Sequence, residues 1–332
     1  MSLKFLFLSL QFVASFLLVS PLQGEEINIY FKTTPKVEFL RPFADPADLS
    51  LLVTAADGRP LERGSVEIRL DAPKSGRFFS TDFPIVEGTR LTELRLPLRQ
   101  GRANWKYLFP IRGEYILAVE VENGDGKKAR KEFEIKINEN SYKWYLLGGF
   151  CLGLFLFGFA AGRVFTAGSR KTSLLVFVSL LALVRNEVSV LEAQEPAREV
   201  STARLEIEPG TVGNPTRVRW SMDDGGVGAK SMVALTLTIT QLEENKIIFA
   251  VERVPVAGEF ALNFQFVDGS EHRVAAIAEL PGRAPVRTEQ RVAVTAVEPP
   301  ATAALPAMAF FLFVIALGLG VGRWSKLRAR TR

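Results

Sequence analysis

The sequence predicts an all-β protein, two sandwich domains outside the cytoplasm, carried on transmembrane α-helices. Three observations predict it. The chain opens like an exported protein, it contains three apolar runs with basic flanks, and two tracts of short alternating runs are punctuated by turn pairs. A length of 332 residues accommodates two or three domains. Hydrophobic residues make up 48% and charged residues 23%, a balance that fits soluble modules joined to a few spans rather than a polytopic transporter.

The elements follow in order. Residues 1–24 read as a secretory signal, with Lys4 as the positive end, an apolar stretch over 5–19, and Pro21 to Gly24 before the cleavage point. Gly24 suits the last position, whereas Leu22 is large where a small residue is preferred, so an uncleaved anchor is the alternative. Residues 25–140 form the first β domain. "WYLLGGFCLGLFLFGFAAGR" then gives a span over 143–163, with Trp144 and Tyr145 at headgroup level and Arg163 on the far side.

Residues 164–171 are a basic loop. The apolar run that follows is short. It spans only if 172–191 is counted, which carries Arg185 and Glu187 near one interface, where Arg can snorkel. Those two residues are the candidates for contact with a membrane-protein partner. The second β domain occupies 196–298, a third span 303–323, and a basic tail 324–332.

The net charge of +5 raises the question of nucleic acid, and its distribution answers it. Eight of the 41 basic residues are Arg163, Arg170, Lys171, Arg323, Lys326, Arg328, Arg330 and Arg332, leaving 33 against 36 acidic ones. The basicity belongs to membrane flanks, so no nucleic-acid partner is expected and the lipid bilayer is. The positive-inside rule then assigns both basic stretches to the cytoplasm and both β domains to the periplasm or exterior of a bacterial inner membrane.

Within the β tracts, "FPIRGEYILAVEV" and "VPVAGEFALNFQF" align. Pro110 falls on Pro255, Gly113 on Gly258, and Tyr115 on Phe260. Alternation follows both phrases, as expected of half-buried strands. Asp125-Gly126 and Asp268-Gly269 then read as hairpin turns. The first and third spans end in "GFAAGR" and "GLGVGR". Gly158 with Gly162, and Gly318 with Gly322, are small residues four apart that let helix backbones approach. The two halves therefore read as tandem copies of one unit, two immunoglobulin-like β-sandwiches with three membrane spans.

The stretches "LSLLVTAADGRPLERGSVEIRL" and "FPIRGEYILAVEV" resemble YtkA-like domains, small immunoglobulin-like modules of bacterial envelope proteins. The order sandwich, two spans, sandwich is also similar to the copper-binding subunit of particulate methane and ammonia monooxygenases. That family's first-domain copper histidines have no counterpart here.

The chain has one histidine, His272, and one cysteine, Cys151, inside an apolar run. A blue-copper centre needs two histidines and a cysteine, so His272 reads as a rim residue. Met222 and Met232 form no metal motif. "DDGGVGAK" at 223–230 lacks the strand–helix setting of a phosphate loop. No disulfide, catalytic residue, metal site or cofactor is expected. The sequence thus leads to a non-enzymatic accessory or scaffold protein of a membrane complex. The alternatives are a copper- or metal-handling or respiratory-complex assembly factor, and a structural subunit of a membrane oxidoreductase whose chemistry its partners bear.

Overall fold

The computed structural model describes residues 27–76, 79–164, 203–222 and 232–330. The signal segment 1–24, the short span 172–191 with Arg185 and Glu187, and the glycine-rich stretch 223–230 lie outside the described residues.

Among the described residues, fourteen strands build two antiparallel sheets. In chain order they are β1 (Asn28–Thr34), β2 (Ala47–Thr54), β3 (Gly64–Asp71), β4 (Arg90–Pro97), β5 (Arg102–Tyr107), β6 (Gly113–Asn123) and β7 (Lys128–Ile137). The second half gives β8 (Ala203–Ile207), β9 (Pro215–Met222), β10 (Met232–Gln241), β11 (Lys246–Ala257), β12 (Glu259–Gln265), β13 (Glu271–Glu279) and β14 (Val286–Ala293). One sheet runs β1-β2-β5-β11-β10-β13-β14, and the other β7-β6-β3-β4-β12-β9-β8. Alternating residues turn inward from both, so Leu49, Leu51, Ile68, Leu117, Val119, Leu235 and Val274 fill one core between the layers.

The two halves join edge to edge into one two-layered body. Each half contributes strands to both sheets, and the sheets run on across the junction. β4 pairs with β12 through Leu94↔Leu262 and Thr92↔Phe264, and β5 pairs with β11 through Tyr107↔Phe249. Joining the layers edge to edge removes four strand edges that would otherwise lie open.

The pairing within the halves repeats with an offset of seven strands. β1-β2, β2-β5, β3-β4, β3-β6 and β6-β7 recur as β8-β9, β9-β12, β10-β11, β10-β13 and β13-β14. This places β13 opposite β6, and β12 opposite β5. The phrase shared by 110–115 and 255–260 therefore does not mark equivalent strands. It marks a shared event, the passage of the chain from one sheet to the other. Gly113 (φ 129°) and Gly258 (φ 76°) carry it in backbone regions open to glycine. At Gly113 a side chain would also collide with Pro73.

Asp125-Gly126 is the β6–β7 hairpin turn, with Gly126 at φ 78°. Asp268-Gly269 is not a hairpin. It joins β12 to β13, which lie in different sheets, and Gly269 there abuts Ala296.

Two helices leave the β body, α1 (Ser141–Val164) and α2 (Leu305–Arg330). Among the described residues these are the two helices long and apolar enough to cross a membrane.

Candidate functional site

The four glycines Gly158, Gly162, Gly318 and Gly322 come together where α1 and α2 cross. A methyl group at Gly158 would collide with the Ile315 carbonyl oxygen, and one at Gly162 with that of Leu319. On α2, Gly318 and Gly322 face the carbonyls of Phe155 and Phe159 in the same way. Glycine is the residue that permits this approach, since any side chain would hold the backbones apart.

The pair is parallel. Phe150 meets Phe311 edge-on at 5.3 Å near the start, and Lys326 Nζ donates to the Arg163 carbonyl at 2.7 Å near the end. Both helices consequently start at the β body and end together in basic residues. The first turns are tied to that body. Lys143 pairs with Asp82 at 2.5 Å, and Phe79 contacts Phe310 at 5.5 Å. Arg112 at the head of β6 pairs with Glu139 at 2.9 Å. Exposed Tyr142, Trp144 and Tyr145 ring the start of α1, where amphipathic rings suit a headgroup layer.

The junction of the two halves lies along the β4–β12 and β5–β11 pairs. A chain of rings crosses it, from Tyr115 to Phe109 (5.0 Å), Tyr107 (5.3 Å), Phe264 (6.4 Å), Phe266 (5.3 Å) and His272 (4.6 Å). At one end, the Tyr115 hydroxyl donates to the Ile111 carbonyl at 2.6 Å and accepts from the Ile111 N–H at 2.9 Å. Burial pushes the Tyr107 and Tyr115 hydroxyl pKa values well up, so both stay protonated.

At the other end His272 is 1% exposed. It is a core residue, not the rim residue expected from sequence. The signal available was its place in "EHRVAAIAE", where it begins the inward set His272, Val274, Ala276, Ala278. Its Nδ1 lies 3.0 Å from the Ser270 carbonyl, and its Nε2 lies 3.4 Å from Asp268 Oδ1. Burial lowers its pKa, with the Asp268 carboxylate opposing that shift. Gln241 donates through Nε2 to Asp268, and Gln265 donates through Nε2 to Thr89 Oγ1 at 2.9 Å across the halves. These groups line a cavity of about 10 Å³, closed on the first-half side by Phe43, Tyr107, Leu108 and Pro110. That volume admits one water-sized species. No cluster of three or more His, Cys, Asp or Glu side chains forms among the described residues.

The remaining sequence candidates separate. Pro110, Tyr115 and Phe260 are buried, but Tyr115 and Phe260 sit on non-equivalent strands. Cys151 is half-buried within α1. Met222 ends β9 and Met232 opens β10, and Met232 is exposed.

No protein-family description matches this chain, and no characterised protein matches it in sequence. Similar solved structures are distant. A conjugative transposon lipoprotein from Bacteroides eggerthii is 11% identical over 27% of this chain and 96% of its own, with a TM-score of 0.21. Dimeric latent PorU from Porphyromonas gingivalis is 11% identical over 82% of this chain and 24% of its own, TM-score 0.24. Invasin, a bacterial integrin-binding protein, is 11% identical over 83% of this chain and 41% of its own, TM-score 0.23. Scores this low attach the chain to none of them.

Proposed function

We propose that the chain is a membrane-anchored, non-enzymatic scaffold that holds a two-half β body against the outer face of a bacterial cytoplasmic membrane, as an accessory subunit of a membrane complex. The observation that supports it most is the parallel helix pair. Both helices start at one end of the body and finish together in Arg163, Arg323 and Lys326. A basic end on both helices matches the cytoplasmic side of a bilayer, and the ion pairs at Asp82 and Glu139 hold the body close to the opposite side.

On this reading each half is an immunoglobulin-like unit, the seven-strand offset is the trace of an internal duplication, and residues 1–24 are the export signal. The resemblance to YtkA-like domains accords with that reading. Val164 ends α1 at the basic side and Ala203 opens β8 in the body, so the chain must travel back the length of α1, about 36 Å at 1.5 Å per residue. The segment 172–191 is assigned that return crossing, with Arg185 and Glu187 at its outer end beside a partner membrane protein.

The test is labelling of single cysteines in a Cys151→Ser background. A membrane-impermeant maleimide added to spheroplasts is expected to modify Asp57→Cys and to spare Lys326→Cys until the membrane is opened. Equal labelling of both sites in intact spheroplasts would refute the topology. Purification in mild detergent is expected to retain a stoichiometric membrane partner, and a lone protein would remove the complex from the reading.

A further inference from the structure

Among the residues that line the cavity at the junction, His272, Gln241 and Gln265 each carry an acceptor that faces no donor. Ser270 offers a carbonyl to His272 Nδ1. A carbonyl only accepts, so Nδ1 carries the proton and a neutral ring leaves Nε2 with a bare lone pair. That lone pair faces Asp268 Oδ1 at 3.4 Å, another acceptor. The Ser270 hydroxyl already donates to the same oxygen at 2.8 Å, so no proton is left there to bridge the gap.

Two amide oxygens add to the set. Gln265 Oε1 and Gln241 Oε1 are both buried without a hydrogen-bond partner, in side chains 1% and 4% exposed. Neither amide can be reversed to cure this. Thr89 Oγ1 donates to the Val86 carbonyl at 2.6 Å, so it can only accept from Gln265, and that fixes Nε2 against it. Gln241 Nε2 is fixed in the same way, because it faces the Asp268 carboxylate. Leaving a buried acceptor unpaired costs about 1–3 kcal/mol, and these residues share one cavity sized for one small species.

We propose that this cavity binds one divalent cation through His272 Nε2, the Asp268 carboxylate and the amide oxygens of Gln241 and Gln265. Three of these acceptors, His272 Nε2 and the two amide oxygens, have no donor, and a single water with two hydrogens to donate would leave one of them unmet. A cation meets all of them. One imidazole nitrogen with three oxygens suits Mn²⁺ or Zn²⁺ better than the thiolate- and thioether-seeking ions. Asp268, 22% exposed, leads from the cavity to solvent and gives the ion an entry path. All four ligands belong to the second half, while Tyr107 and Pro110 of the first half close the cavity. The ion therefore fills and stiffens the junction. The inference stands apart from the membrane topology proposed above.

The test uses the full chain in detergent, purified without a polyhistidine tag, with MnCl₂ as the probe. Equilibrium dialysis is expected to retain one Mn²⁺ per chain. Pulsed electron paramagnetic resonance is expected to show one coordinated imidazole nitrogen, and because the chain contains one histidine, that signal identifies His272 without a mutant. Asp268→Asn, which keeps the shape of the side chain, is expected to weaken retention at least tenfold. No retention of Mn²⁺ or Zn²⁺ at millimolar concentration, or retention without the imidazole signal, would overturn the proposal. If the variant fails to fold, the nitrogen signal of the unaltered chain decides alone.

Discussion

Tyr115 and His272 are the first inward residues of strands that hold the same place in the two halves, β6 and β13. Both close back on the chain just before them, Tyr115 through the peptide of Ile111 and His272 through the carbonyl of Ser270. The five ring contacts between them cross the whole junction. The body is thus pinned at two matched corners, one made by a phenol and one by an imidazole.

Removing the phenol should be costly. Tyr115→Phe keeps the ring and deletes the hydroxyl, leaving the buried Ile111 N–H and carbonyl without that partner. The expected loss is about 1–3 kcal/mol, read as a lower urea midpoint of the detergent-solubilised chain. A midpoint unchanged from the parent would mean that solvent replaces the hydroxyl.

The shared sheets predict one cooperative transition. Trp105 reports on the first half and Trp220 on the second, and both are buried. Variants retaining only one of the two as their buried tryptophan should unfold at the same denaturant concentration. Resolved midpoints would mean that the pairs at Leu94↔Leu262 and Tyr107↔Phe249 do not couple the halves.

Helix packing should be specific to one face. Phe150→Cys and Phe311→Cys in a Cys151→Ser background are expected to form a disulfide on mild oxidation, because these side chains already meet. Adding Gly322→Leu should abolish it by forcing the backbones apart. Adding Gly320→Leu should not, since a side chain there meets open space.

The junction also carries an ion pair, Lys106 Nζ to Glu252 at 2.8 Å, with Asp48 at 3.9 Å. The hydrogen bond to Glu252 raises the Lys106 pKa, against a smaller opposing effect of desolvation. A raised lysine pKa stabilises the folded state below the ordinary value near 10.5, and that stabilisation is lost as pH climbs through the raised value. The pair is partly solvated, so Lys106→Met should cost no more than about 1 kcal/mol. The difference between parent and variant should shrink above pH 10.5 and in high salt; a difference independent of both would assign it to packing.

Much of this architecture was legible. Alternation located β6 and β12, and the Asp-Gly pair at 125–126 located a real hairpin, because side-chain period and turn chemistry are local properties. The glycine spacing named the four residues of the helix crossing for the same reason. Strands β1, β5 and β11 were not read. β5 is short, and β11 carries Glu252-Arg253 and Pro255, which mask its alternation. The pairing of β4 with β12 and of β5 with β11 joins residues some 140 to 170 apart, so no local pattern announces it. The Gly-Glu-aromatic phrase misled because two different strands begin with the same requirement, a glycine to cross between layers and an aromatic to enter the core. His272 was misread as a rim residue because it opens β13 just past a polar turn, where the inward set that it begins is easily missed.

The exchange of edge strands has a consequence in biosynthetic time. β1 to β7 emerge from the ribosome first, and their neighbours β11 and β12 follow only after α1 has been made. Throughout that interval β4 and β5 present unpaired edges, the kind of surface that recruits foreign strands. The first half must wait, with α1 already trailing from it, for the second to be made. An arrest of translation before Lys246 would therefore leave a half-finished sheet, and cellular quality control would meet this protein first at β4 and β5.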